Sequence, residues 1–376
     1  MGALWTNPHP SPTIARCMPD APPLRPRDVF DALRKTVVGQ DEATREVATA
    51  VVKHLSAHPS GNLLLIGNSG SGKTTLMHAV ENFLSSDQRL ESFSNVVRVN
   101  ANVLAEEHQG RGKSILSRLY RNAVRKVGVE AIGDALRMVE RGIVFVDEID
   151  KIRTHVGGVP NVRGIIAQEA LLTLMENENV ELDIEDPERT TVSIDSSSIL
   201  FIVGGAFEDL YQSVFHRAQI GTDVAPLRPT VVVSQSGQVR EELAFHLRDY
   251  IGYEDLFRYG MTPQFVARFD SIVVFNDLGQ QDLASIFVEP EKSIFRTSRD
   301  YFEKFNVDLQ ITRGAIMAIA WEASRQKRIG ARALKEVFRR IIRDLEFDPS
   351  QGNDSNVSRR TLTIDEQMVA KALKEV

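Results

Sequence analysis

The chain has 376 residues, 42% of them hydrophobic and 26% charged, with a formal net charge of −6. This is an ordinary globular composition, long enough for two or three domains, and the acidic balance excludes a polycation built to coat nucleic acid or an anionic membrane. Cys17 is the only cysteine, which excludes an internal disulfide and a cysteine zinc cluster. No apolar run is long enough to span a bilayer and the N-terminus lacks the apolar core of a secretion signal, so a cytoplasmic setting without a membrane partner is expected.

Residues 1–27 hold seven of the fifteen prolines and few periodic apolar positions, which predicts a flexible Pro-rich tail or docking strand. A helical pattern follows Arg27-Asp28. Asp41 is the expected N-cap of a helix running to about Ser56, with Glu42 and Glu46 in its early turns. Asn62 to Ile66 is a short apolar run, the signature of a buried strand. Gly67-Asn68-Ser69-Gly70-Ser71-Gly72-Lys73-Thr74 then spells G-x-x-x-x-G-K-[ST]. Its glycines let backbone N–H groups point at phosphate oxygens, and a helix starting near Gly72 and running to about Leu84 turns its positive end the same way. Lys73 can reach β- and γ-phosphates, and the Thr74 hydroxyl can serve Mg²⁺.

Val96 to Val99 is predicted as a second strand. A polar loop, Glu106 to Lys113, leads into a helix ending near Val127, and residues 129–140 form another. No acid occurs between Glu107 and Glu130, whereas Arg111, Lys113, Arg118, Arg121, Arg125 and Lys126 are all cationic. Such a run is a solvated face, an inter-subunit surface or a nucleic-acid path. Ile143-Val144-Phe145-Val146-Asp147-Glu148 is an apolar strand ending in two carboxylates. Asp147 is placed to hold a metal, and Glu148 to orient and polarise an attacking water. Together with the phosphate loop, this pair points to a nucleotide hydrolase using ATP and Mg²⁺.

Gln168 to Glu176 is a predicted helix, Val180 to Ile184 alternates as an exposed hairpin strand, and Ile199 to Val203 is a buried strand ended by Gly204-Gly205. Residues 210–260 look irregular and partly helical. Ser271 to Phe275 completes the sheet. From Gly279 to about Phe347 the pattern is helical with a short strand at 307–311, and a strand at 361–364 and a helix at 365–376 follow. Strands alternating with helices imply an α/β fold: a mostly parallel sheet between helices, then a smaller, mainly helical C-terminal domain. The expected division is a tail at 1–27, a large αβα domain at 28–276 and a small domain at 277–376. His54, His58 and His108 show no metal-ligand spacing.

Over roughly residues 26–376 the sequence resembles the ClpX and HslU branch of the AAA+ P-loop ATPases. Five segments carry the resemblance: Val37-Val38-Gly39-Gln40, Gly142 to Ile152, Ile199 to Phe207, Pro263 to Phe269 and Gly330-Ala331-Arg332. It implies an ATP-hydrolysing ring, a hexamer, that remodels or unfolds protein substrates. It implies adenine packing by Val37 and Val38. The nucleotide site would comprise these with residues Gly67, Asn68, Ser69, Gly70, Ser71, Gly72, Lys73, Thr74, Thr75, Asp147 and Arg332. Arg268 would act on a neighbouring subunit's nucleotide, and Arg332 on its own subunit's, coupling hydrolysis to domain rotation; with Lys73 and Glu148 they make the expected catalytic set. At the sensor 1 position, Gly204 and Gly205 leave only backbone or water to act.

The sequence also departs from that branch. The family's zinc module needs four cysteines, so docking through it is not expected. The substrate-gripping loop, Glu107-His108-Gln109-Gly110-Arg111-Gly112-Lys113, has no aromatic to hold unfolded polypeptide. A second pore loop is expected near Arg153 to Arg163. The peptidase-docking tripeptide has its nearest match in Ile220-Gly221-Thr222, which lacks the large anchor, so a ClpP-type peptidase is not expected to dock. Two alternatives stay open beside the protein remodeller: an AAA+ module of a nucleic-acid, mobile-element or defence process, and a nucleotide-dependent switch that assembles through its Pro-rich tail.

Overall fold

The computed structural model describes residues 24–374, apart from 57, 59–60, 107–112, 177–178, 185–189, 221–227, 234–238, 327–328 and 350–359. Most of the expected tail, the loop from Glu107 to Gly112, His108 and the Gly221-Thr222 pair lie outside the described residues.

Helix α1 (Pro26–Leu33) starts two residues inside the expected tail, with proline where a free N–H is not needed, and buries Val29, Phe30 and Leu33. Helix α2 (Asp41–Leu55) has Gln40, not Asp41, at its N-cap position. Asp41 is the first helical residue, where its charge still favours the positive helix end. Strand β1 (Asn62–Ile66) and α3 (Lys73–Ser86) flank the phosphate loop. Then come β2 (Val96–Asn100), α4 (Ala101–Glu106), α5 (Lys113–Val127), α6 (Ile132–Glu140) and β3 (Ile143–Asp147). A tiny hairpin, β4 (His155–Val156) and β5 (Val159–Pro160), occupies the expected second pore loop and leads into α7 (Val162–Glu176), which starts six residues before the helix that its sequence pattern suggests.

The hairpin β6 (Val180–Asp183) and β7 (Thr191–Ile194) pairs antiparallel. It is not wholly exposed, because Val180, Leu182, Val192 and Ile194 turn inward. Strand β8 (Leu200–Gly205) includes both glycines rather than stopping at them. Residues 208–259 are more regular than expected. They form α8 (Glu208–Ile220), the antiparallel hairpin β9 (Arg228–Val233) and β10 (Val239–Ala244), then α9 (Leu247–Tyr250) and α10 (Tyr253–Tyr259). A bidentate pair ties α8 to α10: Arg217 reaches Asp255 at 3.0 and 2.7 Å and the Tyr250 carbonyl at 2.6 Å. Short α11 (Pro263–Val266), capped by Thr262, precedes β11 (Phe269–Val274).

The C-terminal part comprises α12 (Gln280–Val288), α13 (Ile294–Glu303), β12 (Val307–Ile311), α14 (Arg313–Ser324), α15 (Arg332–Phe347), β13 (Arg360–Ile364) and α16 (Glu366–Lys374). Strands β12 and β13 pair in parallel. Its core gathers Phe287, Phe302, Ile319, Val337, Phe338 and Ile364, with Phe287 and Phe338 edge-to-face at 4.9 Å.

The main sheet has the order β11-β1-β8-β3-β2, and every pair in it is parallel. Side chains alternate across it, so Leu64 and Ile66 join the core against α4 to α8, while Leu63 and Leu65 join the core against α1, α2 and α3. Fully burying one such leucine or isoleucine contributes about 2 kcal/mol. A parallel sheet sends the C-terminal ends of its strands to one edge, the usual place for a ligand in such folds. Ile66, Asn100, Asp147 and Gly205 all end there.

Candidate functional site

The phosphate loop leaves β1 near the middle of that edge and is held from behind. The buried Gln40 amide donates to the Ser71 carbonyl at 3.0 Å and the Asn276 carbonyl at 2.8 Å, and accepts from the Asn276 N–H at 2.9 Å. Asn68 donates to Asp277 at 2.7 Å. Residues just past β11 therefore brace the loop against the start of α2.

Lys73 is buried, and its ammonium donates to the carbonyls of Gly67 at 2.5 Å and Asn68 at 3.1 Å. Burial pulls its pKa down to about 8, against the opposing pull of Asp147 and Asp150. A cation held so poorly compensated inside a cleft is poised for an anionic ligand.

Asp147 ends β3 beside this lysine. The Thr74 hydroxyl donates to Asp147 Oδ2 at 3.1 Å. A hydroxyl and a carboxylate in contact are hard oxygen donors of the kind Mg²⁺ takes, so these residues fit the ion. Glu148 follows with φ 58, in the left-handed region that non-glycine residues rarely occupy. Its N–H donates to Asp147 Oδ1 at 2.8 Å, and its Oε2 accepts from the Asn100 amide at 2.8 Å. Asn100 thus aims the Glu148 carboxylate from the neighbouring strand end. The sequence offered one signal for it: a polar residue ending an apolar strand of a parallel sheet.

These groups face a cleft of about 470 Å³, a size typical of small-molecule sites. Its polar wall runs from Ser69 to Thr75 with Asp147, Glu148, Asp150 and Lys151. Its apolar wall is Val37, Val38, Leu278, Ile286 and Ile294, and Arg332 and Lys335 close it from α15. Of the expected binding residues, Gly67 and Asn68 do not line it; their carbonyls turn to Lys73 instead.

The turn before α15 sits directly on the phosphate loop. The Ala331 N–H donates to the Gly70 carbonyl at 3.1 Å, and Arg332 donates to Ser69 Oγ at 2.7 Å. Gly70 and Gly330 both have positive φ, and an ideal Cβ on Gly70 would lie 2.2 Å from the Ile329 carbonyl oxygen. Side chains are excluded from this contact, so two backbones meet. Arg268 is not part of the cleft. It is half-exposed and pairs with Glu176 of its own chain.

A family model described as "AAA domain (Cdc48 subfamily)" matches residues 58–272. The ClpX ATP-binding subunit of the ATP-dependent Clp protease from Treponema denticola is 29% identical over 365 residues, covering 92% of this chain and 81% of the relative. The corresponding subunits of Borrelia duttonii and Borrelia recurrentis are each 30% identical over 346 residues, covering 86% of this chain and 74% of theirs. The chain is a ClpX-like AAA+ ATPase. It binds nucleotide and hydrolyses ATP, as this membership entails. Among the described residues of this AAA+ ATPase no cluster of His, Cys, Asp and Glu could hold a further metal, and no helix is long and apolar enough to cross a membrane.

Proposed function

We propose that the chain is one subunit of a homo-oligomeric ring, a hexamer, that uses ATP to remodel or unfold protein substrates without a ClpP-type peptidase. The observation that carries this reading is the position of the cleft. Its polar wall belongs to the sheet and its lid to α15, so nucleotide held there bears on both parts of the chain at once. The cores of the two parts draw on separate residues, 29–275 and 283–369, which supports a division at residues 276 and 277.

Within this reading each side chain has a task. Val37 and Val38 pack on the base. Backbone N–H groups from Ser69 to Thr75, with Lys73 and Arg332, hold the phosphates. Thr74 and Asp147 would ligate Mg²⁺, which supplies positive charge across the phosphate oxygens. Glu148, aimed by Asn100, orients the attacking water and takes up its proton. Cations placed where negative charge develops are the main source of rate in phosphoryl transfer. Arg268 stands outside its own cleft, which supports an action on a neighbour's nucleotide. A pull-down with Glu148→Gln and ATP tests the substrate class: polypeptides are expected to accumulate on the trapped ring, and recovery of nucleic acid alone would overturn the protein reading.

One observation favours a second reading, an AAA+ module acting on nucleic acid. Arg118, Arg121 and Arg125 recur along α5, and among the described residues none of them pairs with a carboxylate. If they bind nucleic acid, log K will fall with log salt by roughly 0.7–0.9 per phosphate contact, and Arg121→Ala with Arg125→Ala will reduce that slope.

A further inference from the structure

The end of β8 carries Gly204 and Gly205, with no side chain to offer the cleft. An ideal Cβ on Gly205 would fall 2.7 Å from Asp150 Oδ1, 2.7 Å from Phe207 Cε2 and 3.0 Å from the Asp150 backbone nitrogen. The space is already taken. Asp150 comes from the short helical turn Ile149–Ile152 that follows Glu148. It is buried and lines the cleft. Its Oδ1 accepts from the Ala206 N–H at 3.1 Å, and its Oδ2 lies 3.3 Å from Lys151 Nζ.

Backbone strain gathers around that one hydrogen bond. Among the described residues three non-glycines have positive φ: Glu148 at 58°, Phe207 at 53° and Asn306 at 58°. Glu148 lies two residues before Asp150, and Phe207 directly follows Ala206. Such conformations persist only where the surroundings over-determine them, and they cluster where a protein uses the strain. The surroundings here are clear. The Glu148 carbonyl accepts from the Lys151 N–H at 3.0 Å. Phe207 packs on Tyr259 at 5.1 Å, and the Arg153 guanidinium lies 5.1 Å over the same tyrosine ring. The bond from Ala206 to Asp150 joins the two strained turns.

We infer that Asp150 is a positioning residue for ATP hydrolysis: Oδ1, by holding the Ala206 N–H, fastens the Glu148 turn to the end of β8 and keeps the Glu148 carboxylate in its working direction. Gly205 is glycine because the Asp150 carboxylate stands where a β-carbon would lie. The role rests on the reading of Glu148 as the water-orienting group.

Three variants of the full chain test it, each measured for ATP turnover and for affinity toward a fluorescent ATP analogue. Asp150→Ala removes the acceptor. Gly205→Ala leaves Asp150 in the sequence but pushes its carboxylate aside. Asp150→Asn keeps an oxygen acceptor in place. A misdirected catalytic group costs rate rather than binding, so kcat falls about 10-fold or more in Asp150→Ala and Gly205→Ala, while analogue Kd stays within about threefold. Asp150→Asn retains roughly a third or more of the wild-type rate. Kd and kcat worsening together in Asp150→Ala, or Asp150→Asn as slow as Asp150→Ala, would overturn the proposal. So would Gly205→Ala at the wild-type rate, and that variant with Asp150→Asn decides the matter if Asp150→Ala does not fold. Glu148→Gln is run beside them. If it turns over normally, the Glu148 assignment fails by itself; if it is slow while Asp150→Ala is fast, only the positioning role fails.

Discussion

Lys73 weakens the fold that it serves, and Lys73→Met measures by how much. Burial lowers its pKa from 10.5 to about 8. At 1.36 kcal/mol per pH unit that interval is a cost of about 3 kcal/mol for keeping the charged form folded. Methionine has a similar straight chain and no charge. It also forfeits the hydrogen bonds to the Gly67 and Asn68 carbonyls, at about 1 kcal/mol each. The nucleotide-free variant is therefore more stable than wild type at pH 7 by about 1 kcal/mol, while nucleotide binding is lost. The pH dependence is the sharper test. The folded pKa lies below the unfolded one, so between about 8 and 10.5 the unfolded chain binds more protons and wild-type stability rises with pH. The variant has no such term. Its advantage shrinks by roughly 2–3 kcal/mol between pH 7 and pH 10, which reverses the order of stability. Urea denaturation followed by far-UV circular dichroism reads both values. A variant less stable at pH 7, with a difference that does not change by pH 10, would refute the account of a charge held against desolvation.

Glu148→Gln should bind ATP with near wild-type affinity and turn over at least about 100-fold more slowly, read by nucleotide binding and phosphate release; wild-type turnover would remove the assignment. Subunits carrying Arg268→Ala, mixed with subunits carrying Lys73→Ala, should regain part of the ATPase activity that each lacks alone, because the first keeps an intact cleft and the second an intact arginine. A mixture as inactive as its components would count against a shared site. Arg217→Met should destabilise the chain by about 3 kcal/mol, since it strands the buried Asp255 carboxylate; a loss below about 1 kcal/mol in denaturant titration would show the pair to be dispensable.

Much of this fold lay open in the sequence because short-range rules governed it. The run from Asn62 to Thr74 is a strand, a turn and a helix start within thirteen residues, and Asp147-Glu148 closes an apolar run whose shortness reads as a buried strand. The strand at 307–311 and its helical neighbours were equally local. What the local pattern does not carry is set by distance along the chain. Gln40 supports the phosphate loop through partners 31 and 236 residues away, and no local pattern marks an amide for that task. Asn100 and Asp150 are ordinary polar residues until parallel pairing brings the ends of β2, β3 and β8 together. Helix α8 lies in a stretch whose pattern reads as irregular and only partly helical, for a different reason. Leu210, Val214 and Ala218 do recur at helical spacing and are buried, but the Gly/Pro-containing stretch after it masked the period. Arg268 was named from the sequence, yet its pairing with Glu176 was not foreseeable, because helix α7 and the loop before β11 meet only in the folded chain.

If the lid moves with the nucleotide, as the proposed function has it, the meeting of Gly70 with Gly330 makes the two parties to one equilibrium. A contact of two backbones has no side chain that can swing aside, so a lid that moved would have to carry the whole turn before α15 off the phosphate loop. Linkage then fixes a symmetry. By whatever factor seating the turn changes nucleotide affinity, bound nucleotide changes the population of the seated turn by the same factor. Each round of hydrolysis and release would thereby be written into the angle between the sheet and the C-terminal helices, and a load pulling on those helices would be felt as a change in how tightly the cleft holds its ligand.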